Sequence, residues 1–164
     1  MVSKSMQAAF NEQINKEFFS AYVYLSMAAY FEDNNLPGFA QWLRLQADEE
    51  REHAMKFYDF MLDRGARVLL GAIAAPQTEW KSSLDVFKDV LAHEQKVTAS
   101  IHALYELALK EKDYPAQVML QWFISEQVEE EKSATEIVEQ LELDNAHGTA
   151  VLMLDHQLAK RKED

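Results

Sequence analysis

Four long stretches of this chain repeat apolar side chains at alternating steps of three and four, a spacing that commits each to a helix with one buried face. The first stripe reads Phe10, Ile14, Glu17, Ala21, Tyr24, Ala28, Phe31. The second reads Leu43, Ala47, Glu50, Ala54, Phe57, Met61, with His53 one step round the same face. The third runs Phe87, Val90, Glu94, Val97, Ile101, Leu104, Ala108, and the fourth Leu120, Phe123, Gln127, Glu130, Ala134, Ile137, Leu141. Only four glycines and three prolines interrupt 164 residues, and Ala, Leu, Glu, Gln and Lys abound. The expectation is an all-α protein.

Punctuation separates the helices. The first is expected from about Ser5 to Asp33, where DNNLPG makes a turn and Pro37 suits a first helical turn. The second runs to about Arg64, with Gly65 just past its end. Ser82 and Asp85 resemble a capping box opening the third, which ends near Asp113, and Pro115 opens the fourth, which ends near Leu143. A short fifth helix follows, at about residues 146–160, so that one domain spans 1–164 with its bundle at about 5–143.

Loop lengths imply the topology. The turns near residues 33–37 and 113–115 are short enough to demand antiparallel neighbours. Residues 65–81, GARVLLGAIAAPQTEWK, carry no helical stripe. A helix of about 28 residues is about 42 Å long, and an extended segment of this length reaches about 56–61 Å. It can cross the whole bundle and leave helices two and three parallel.

Every stripe is interrupted by an acid near the helix midpoint, and midpoints of a bundle meet at one height. Alone, each acid would be an ordinary residue at the edge of its stripe. Together Glu17, Glu50, Glu94, Glu130, His53 and Gln127 form one constellation. Unpaired buried carboxylates cost several kcal/mol each, and four would rival a domain's whole stability of about 5–15 kcal/mol. No Lys or Arg lies in any stripe to pair them. Bound cations answer the problem, and two sharing a bridging carboxylate use the donors more fully than one.

Other features narrow the function. A net charge of −12 argues against nucleic acid as a partner, because phosphate contacts need basic clusters. No apolar run approaches the roughly 18 residues of a membrane span, and MVSKSMQAAF does not read as a signal peptide. With no cysteine there is neither disulfide nor thiolate metal site. A cytoplasmic location is expected.

The segments NEQINKEFFSAYVYLSMAAYF, ADEEREHAMKF, AHEQ and LQWFISEQVEEE, with the crossover IAAPQTEW and the tail HGTAVLMLDHQLA, together resemble the non-haem bacterial and archaeal ferritins over essentially the whole chain. The resemblance implies a ferritin-like four-helix bundle with a long crossover and a short C-terminal helix. It further implies a ferroxidase that oxidises Fe²⁺ with dioxygen or hydrogen peroxide and stores the ferric mineral in a hollow cage of twenty-four subunits. By the same resemblance Glu17, Glu50 and His53 hold one iron, and Glu50 bridges to a second held by Glu94 and Glu130, with Gln127 beside it. Glu49, Glu126 and Glu129 match residues that, with Glu130, form a third iron site. Tyr24 and Trp122 match aromatic neighbours of the centre, and the last helix matches one that lines fourfold channels.

Departures from other ferritin-like families matter as well. Bacterioferritins bind haem through a methionine between the Glu and His of helix two; here Arg51 and Glu52 stand there, so no haem is expected. Gln127 and Glu130 replace a second Glu-x-x-His, which implies unequal iron sites. The apolar crossover is expected to bury against a neighbouring subunit. Two rivals remain: a monomeric di-iron or di-manganese oxidase or peroxidase, and a metal-free helical scaffold.

Overall fold

The computed structural model describes residues 2–143 and 148–162. The helices are α1 (Lys4–Asp33), α2 (Pro37–Asp63), α3 (Ser83–Glu111), α4 (Tyr114–Leu143) and α5 (Gly148–Leu158). The expected beginning of the last helix, at residues 146–147, lies outside the described residues.

Caps explain the boundaries. Met6 N donates to Ser3 Oγ at 3.0 Å to open α1. Asp85 N donates to Ser82 Oγ at 3.1 Å to open α3, as the Ser-x-x-Asp spacing predicts. At the end of α2, Ala66 N reaches Met61 O and Gly65 N reaches Leu62 O, both at 2.9 Å. That paired closure needs a left-handed residue, and Gly65 supplies it at φ +68°. Lys112 closes α3 the same way at φ +56°, ending it two residues before the expected Asp113. Asp113 instead caps α4, accepting from Ala116 N at 3.1 Å, so α4 begins at Tyr114 rather than Pro115. The Asp113 carboxylate also accepts two bonds from Arg64 Nη1, at 2.6 and 2.9 Å, tying the end of α2 to the α3–α4 turn.

Helices α1 and α2 pack as one close pair and α3 and α4 as another. The crossover lies along α1. Asn11 Nδ2 donates to Arg67 O, Asn15 Nδ2 to Ala72 O and Ser26 Oγ to Gln77 O. Its rising residue numbers thus follow those of α1, and it traverses the bundle as its length requires. Leu69, Leu70 and Ile73 on it are exposed.

The apolar interior falls into two clusters. One holds Phe31, Phe39 and Phe87 with Leu154 and Leu158 of α5; the other holds Phe10, Phe57 and Phe123. Helix α5 crosses the beginning of α2. A Cβ on Gly38 would fall 1.7 Å from Asp155 O, and Phe39 N donates to Asp155 Oδ1 at 2.9 Å. Leu36 gives α2 no side-chain cap, so buried Asp155 satisfies a free N–H there from 116 residues away. Among the described residues no helix is long and apolar enough to cross a membrane.

Candidate metal centre

Between the apolar clusters lies a polar layer. Gln13, Glu17, Ser20 and Tyr24 follow the face of α1 at steps of four and three, and Gln46, Glu50 and His53 do the same on α2. Glu94 comes from α3, and Gln127 and Glu130 come from α4. All of these side chains are buried, none more than 6% exposed.

Three glutamine amides hold three carboxylates. Gln13 Nε2 donates to Glu17 Oε1 at 2.7 Å, Gln46 Nε2 to Glu130 Oε2 at 2.6 Å, and Gln127 Nε2 to Glu94 Oε2 at 3.1 Å. Each amide has support behind it. Ser100 Oγ donates to Gln13 Oε1 at 2.6 Å, Arg161 Nη1 to Gln46 Oε1 at 3.0 Å, and Gln127 Nε2 also approaches Thr98 Oγ1 at 3.2 Å. Glu50 has no such amide. Ionised, Glu17 Oε2, Glu130 Oε1 and both oxygens of Glu50 are buried without a hydrogen-bond partner among the described residues.

That inventory is a donor set. Buried carboxylate oxygens without donors are strongly unfavourable, and these four cluster with an imidazole. One ligand atom each from Glu17, Glu50 and His53 lies within 4.8 Å of the others, and the same holds for His53, Glu126 and Glu130. Glu50, with both oxygens free, is suited to touch two cations. His53 Nδ1 stands 3.5 Å from Glu50 Oε2. Its ring packs edge-on against Phe123 and Trp122, at 5.7 and 5.5 Å between centroids.

Protonation is displaced accordingly. Burial raises Glu50 well above the ordinary carboxylate range, and the charges of Glu94, Glu17 and Glu130 raise it further. Burial and the Glu94 charge raise Glu130 likewise. Burial raises Glu17, while the Glu50 carboxyl and the Gln13 amide beside it act the other way. Glu94 rises to about 7, burial outweighing its bonds from Tyr24 and Gln127. His53 falls to about 4, first by burial and then by the Lys56 charge, so its imidazole is neutral and fit to ligate. Clustered carboxylates that burial drives to hold protons are ones that a cation can relieve.

Not every expected residue faces this donor set. Both Glu94 oxygens are engaged, Oε1 by the Tyr24 hydroxyl and Oε2 by Gln127. Burial and the Glu94 charge also hold the Tyr24 phenol well above its usual range, so it stays a donor. Glu49 is taken by Arg161 Nη2 at 2.6 Å, and Glu129 is exposed. Glu49, Glu126, Glu129 and His53 do line one cavity of 530 Å³ between α2 and α4. Gln13, Gln46, Ser100 and Arg161 were not among the sequence candidates. The one available signal was that Gln13 and Gln46 each stand four residues before a layer glutamate.

The ferritin-like domain family model matches residues 7–144. A bacterial non-heme ferritin of Staphylococcus saprophyticus is 42% identical over 164 residues, covering 100% of this chain and 98% of that protein. Among solved structures, an open pore ferritin from the hyperthermophilic archaeon Archaeoglobus fulgidus is 49% identical with a TM-score of 0.98, covering 99% of this chain and 100% of its own. A closed form of the same ferritin, engineered by site-directed mutagenesis, is 48% identical with a TM-score of 0.98 and full coverage of both chains. Fold, polar layer and likeness agree: the chain belongs to the ferritin family, as one of its non-haem bacterial and archaeal members.

Proposed function

We propose that the protein stores and detoxifies iron in the cytoplasm. It would take up Fe²⁺, oxidise it at a two-iron centre inside each subunit, and keep the ferric product in a cage of twenty-four chains. The observation that carries this reading is the set of unpartnered buried oxygens, Glu17 Oε2, Glu130 Oε1 and both of Glu50, beside a neutral His53.

Fe²⁺ is the substrate. Glu17, Glu50 and His53 would hold one ion, and Glu50, Glu130 and Glu94 the other. Glu94 joins by exchanging its bond from Tyr24 or Gln127 for the cation. An all-oxygen and imidazole set with exchangeable positions suits binding, oxidation and release better than a closed thiolate site. Each Fe²⁺ gives up one electron, so a pair reduces dioxygen to peroxide, or peroxide to water, with protons from solvent. Tyr24 would stay beside the pair as a buried hydroxyl. Glu49, Glu126 and Glu129, with Glu130, would receive a third iron on the cavity side of the centre.

Haem has no part in this reading, because exposed Arg51 and Glu52 occupy the positions between Glu50 and His53. Exposed Tyr22, Leu25, Leu69, Leu70 and Ile73 support burial of the crossover against another copy. The test is aerobic addition of Fe²⁺ to purified protein, following oxidation optically and native mass before and after. Rapid oxidation by a 24-subunit particle that gains mass as it takes up iron supports the proposal. A monomer or dimer favours the oxidase rival, and no metal uptake favours the scaffold.

A further inference from the structure

The segment following α5 reaches the metal layer through one side chain. Arg161 lies just past Leu158, and its guanidinium stacks over Trp42 with Cζ 4.6 Å from the ring centroid. Nη1 donates to Gln46 Oε1 at 3.0 Å, and Nη2 to Glu49 Oε2 at 2.6 Å. With its carbonyl oxygen so fixed, the Gln46 amide must present Nε2 in the opposite direction, where it meets Glu130 Oε2 at 2.6 Å. The Glu130 carboxylate is thereby oriented with Oε1 as its free, buried donor. A glutamine amide without this anchor can turn over, bringing its carbonyl against the carboxylate and repelling it.

We propose that Arg161 is a positioning residue for the centre: acting through Gln46, it fixes Glu130 to receive a cation. The C-terminal segment thus tunes the Glu130 side of the centre and leaves the Glu17–Glu50–His53 side alone. This rests on the two-cation reading above, and its mechanism is the hydrogen-bond support that orients any metal ligand. Arg161 acts on the centre without touching a metal ion.

The experiment is calorimetric titration of the assembled, metal-free protein with Zn²⁺, which binds without redox chemistry. Wild type is compared with Arg161→Met, Gln46→Leu and the double variant, with a melting curve for each. Methionine keeps apolar bulk against Trp42 and removes the donors. The expected result is two binding steps at the paired sites in wild type, apart from the weaker binding on the cavity side, and, in Arg161→Met, one of the two weakened about tenfold with the other unchanged. The double variant should bind no worse than Gln46→Leu, because Arg161 acts through that amide. Equal weakening of both steps with a lowered melting temperature would make Arg161 a structural clasp and overturn the inference. Unchanged titration, or additive losses in the double variant, would overturn it too. Absence of paired Zn²⁺ sites in wild type would instead overturn the two-cation reading, and this inference with it.

Discussion

Glu50 Oε2 stands 3.5 Å from His53 Nδ1, one helical turn away on α2, and among the described residues neither Glu50 oxygen has a hydrogen-bond donor. The arrangement trades stability for function, since a buried carboxylate without donors is retained only where something binds it. Glu50→Leu should therefore raise the stability of the metal-free protein by about 1–4 kcal/mol while abolishing paired cation binding. Thermal unfolding with and without Zn²⁺ checks both halves. A variant less stable than wild type without metal would contradict the prediction.

The metal-free protein should lose stability as pH rises past 6.5, where the buried histidines no longer oppose the buried carboxylates. Glu17, Glu50, Glu94 and Glu130 all have folded values above their ordinary ones, so the folded state holds more protons and stability falls with pH. For Glu94 the window runs from 4.5 to about 7, worth roughly 3 kcal/mol at about 1.36 kcal/mol per unit. His53 and His93 act oppositely. Burial holds each at about 4, so their contribution is complete above 6.5 and is lost as pH falls toward 4. Above pH 6.5 the imidazoles are silent, and a falling Tm reports the carboxylates. Saturating Zn²⁺ should flatten the slope, and a Tm that rises with pH in metal-free protein would count against the buried carboxylate layer.

Tyr24 holds Glu94 through a hydroxyl bond that favours the carboxylate form. Tyr24→Phe should push the Glu94 carboxyl above its present value of about 7. It should also ease the turn of Glu94 toward a cation. Infrared titration of the buried carboxyl band measures the first effect, and a shift downward would refute it.

The crossover should matter to assembly rather than to the centre. Leu70 is 66% exposed on a segment pinned to α1 by backbone acceptors for Asn11, Asn15 and Ser26. Leu70→Lys should leave helicity and Zn²⁺ binding intact and lower native mass. An unchanged oligomer would show that the crossover is no part of the interface.

Glu17, Glu50, Glu94 and Glu130 were legible because each breaks an apolar stripe, and a charge on a buried face demands a cause. Gln13 and Gln46 were not, since an uncharged amide in a helix demands nothing until its partner is known. Gln46 serves Glu130, 84 residues away. Asp155 and Arg161 were hidden for the same reason, acting on α2 from the far end of the chain. The close of α2 was readable in Gly65, whereas that of α3 rests on Lys112, a residue with no intrinsic preference for positive φ. The orientation of Glu94 toward Tyr24 is a property of the packed layer and left no mark on spacing.

The polar layer is built for a pair of cation sites that share Glu50. Crystals grown without metal and soaked in Fe²⁺ under anaerobic conditions test it most directly, by anomalous scattering at the iron edge. Two peaks are expected in the polar layer of each subunit, about 3.5–4 Å apart, with the Glu50 carboxylate between them, one beside His53 and Glu17 and the other beside Glu130 and Glu94. No peak in the polar layer, or a single peak away from Glu50, would contradict it.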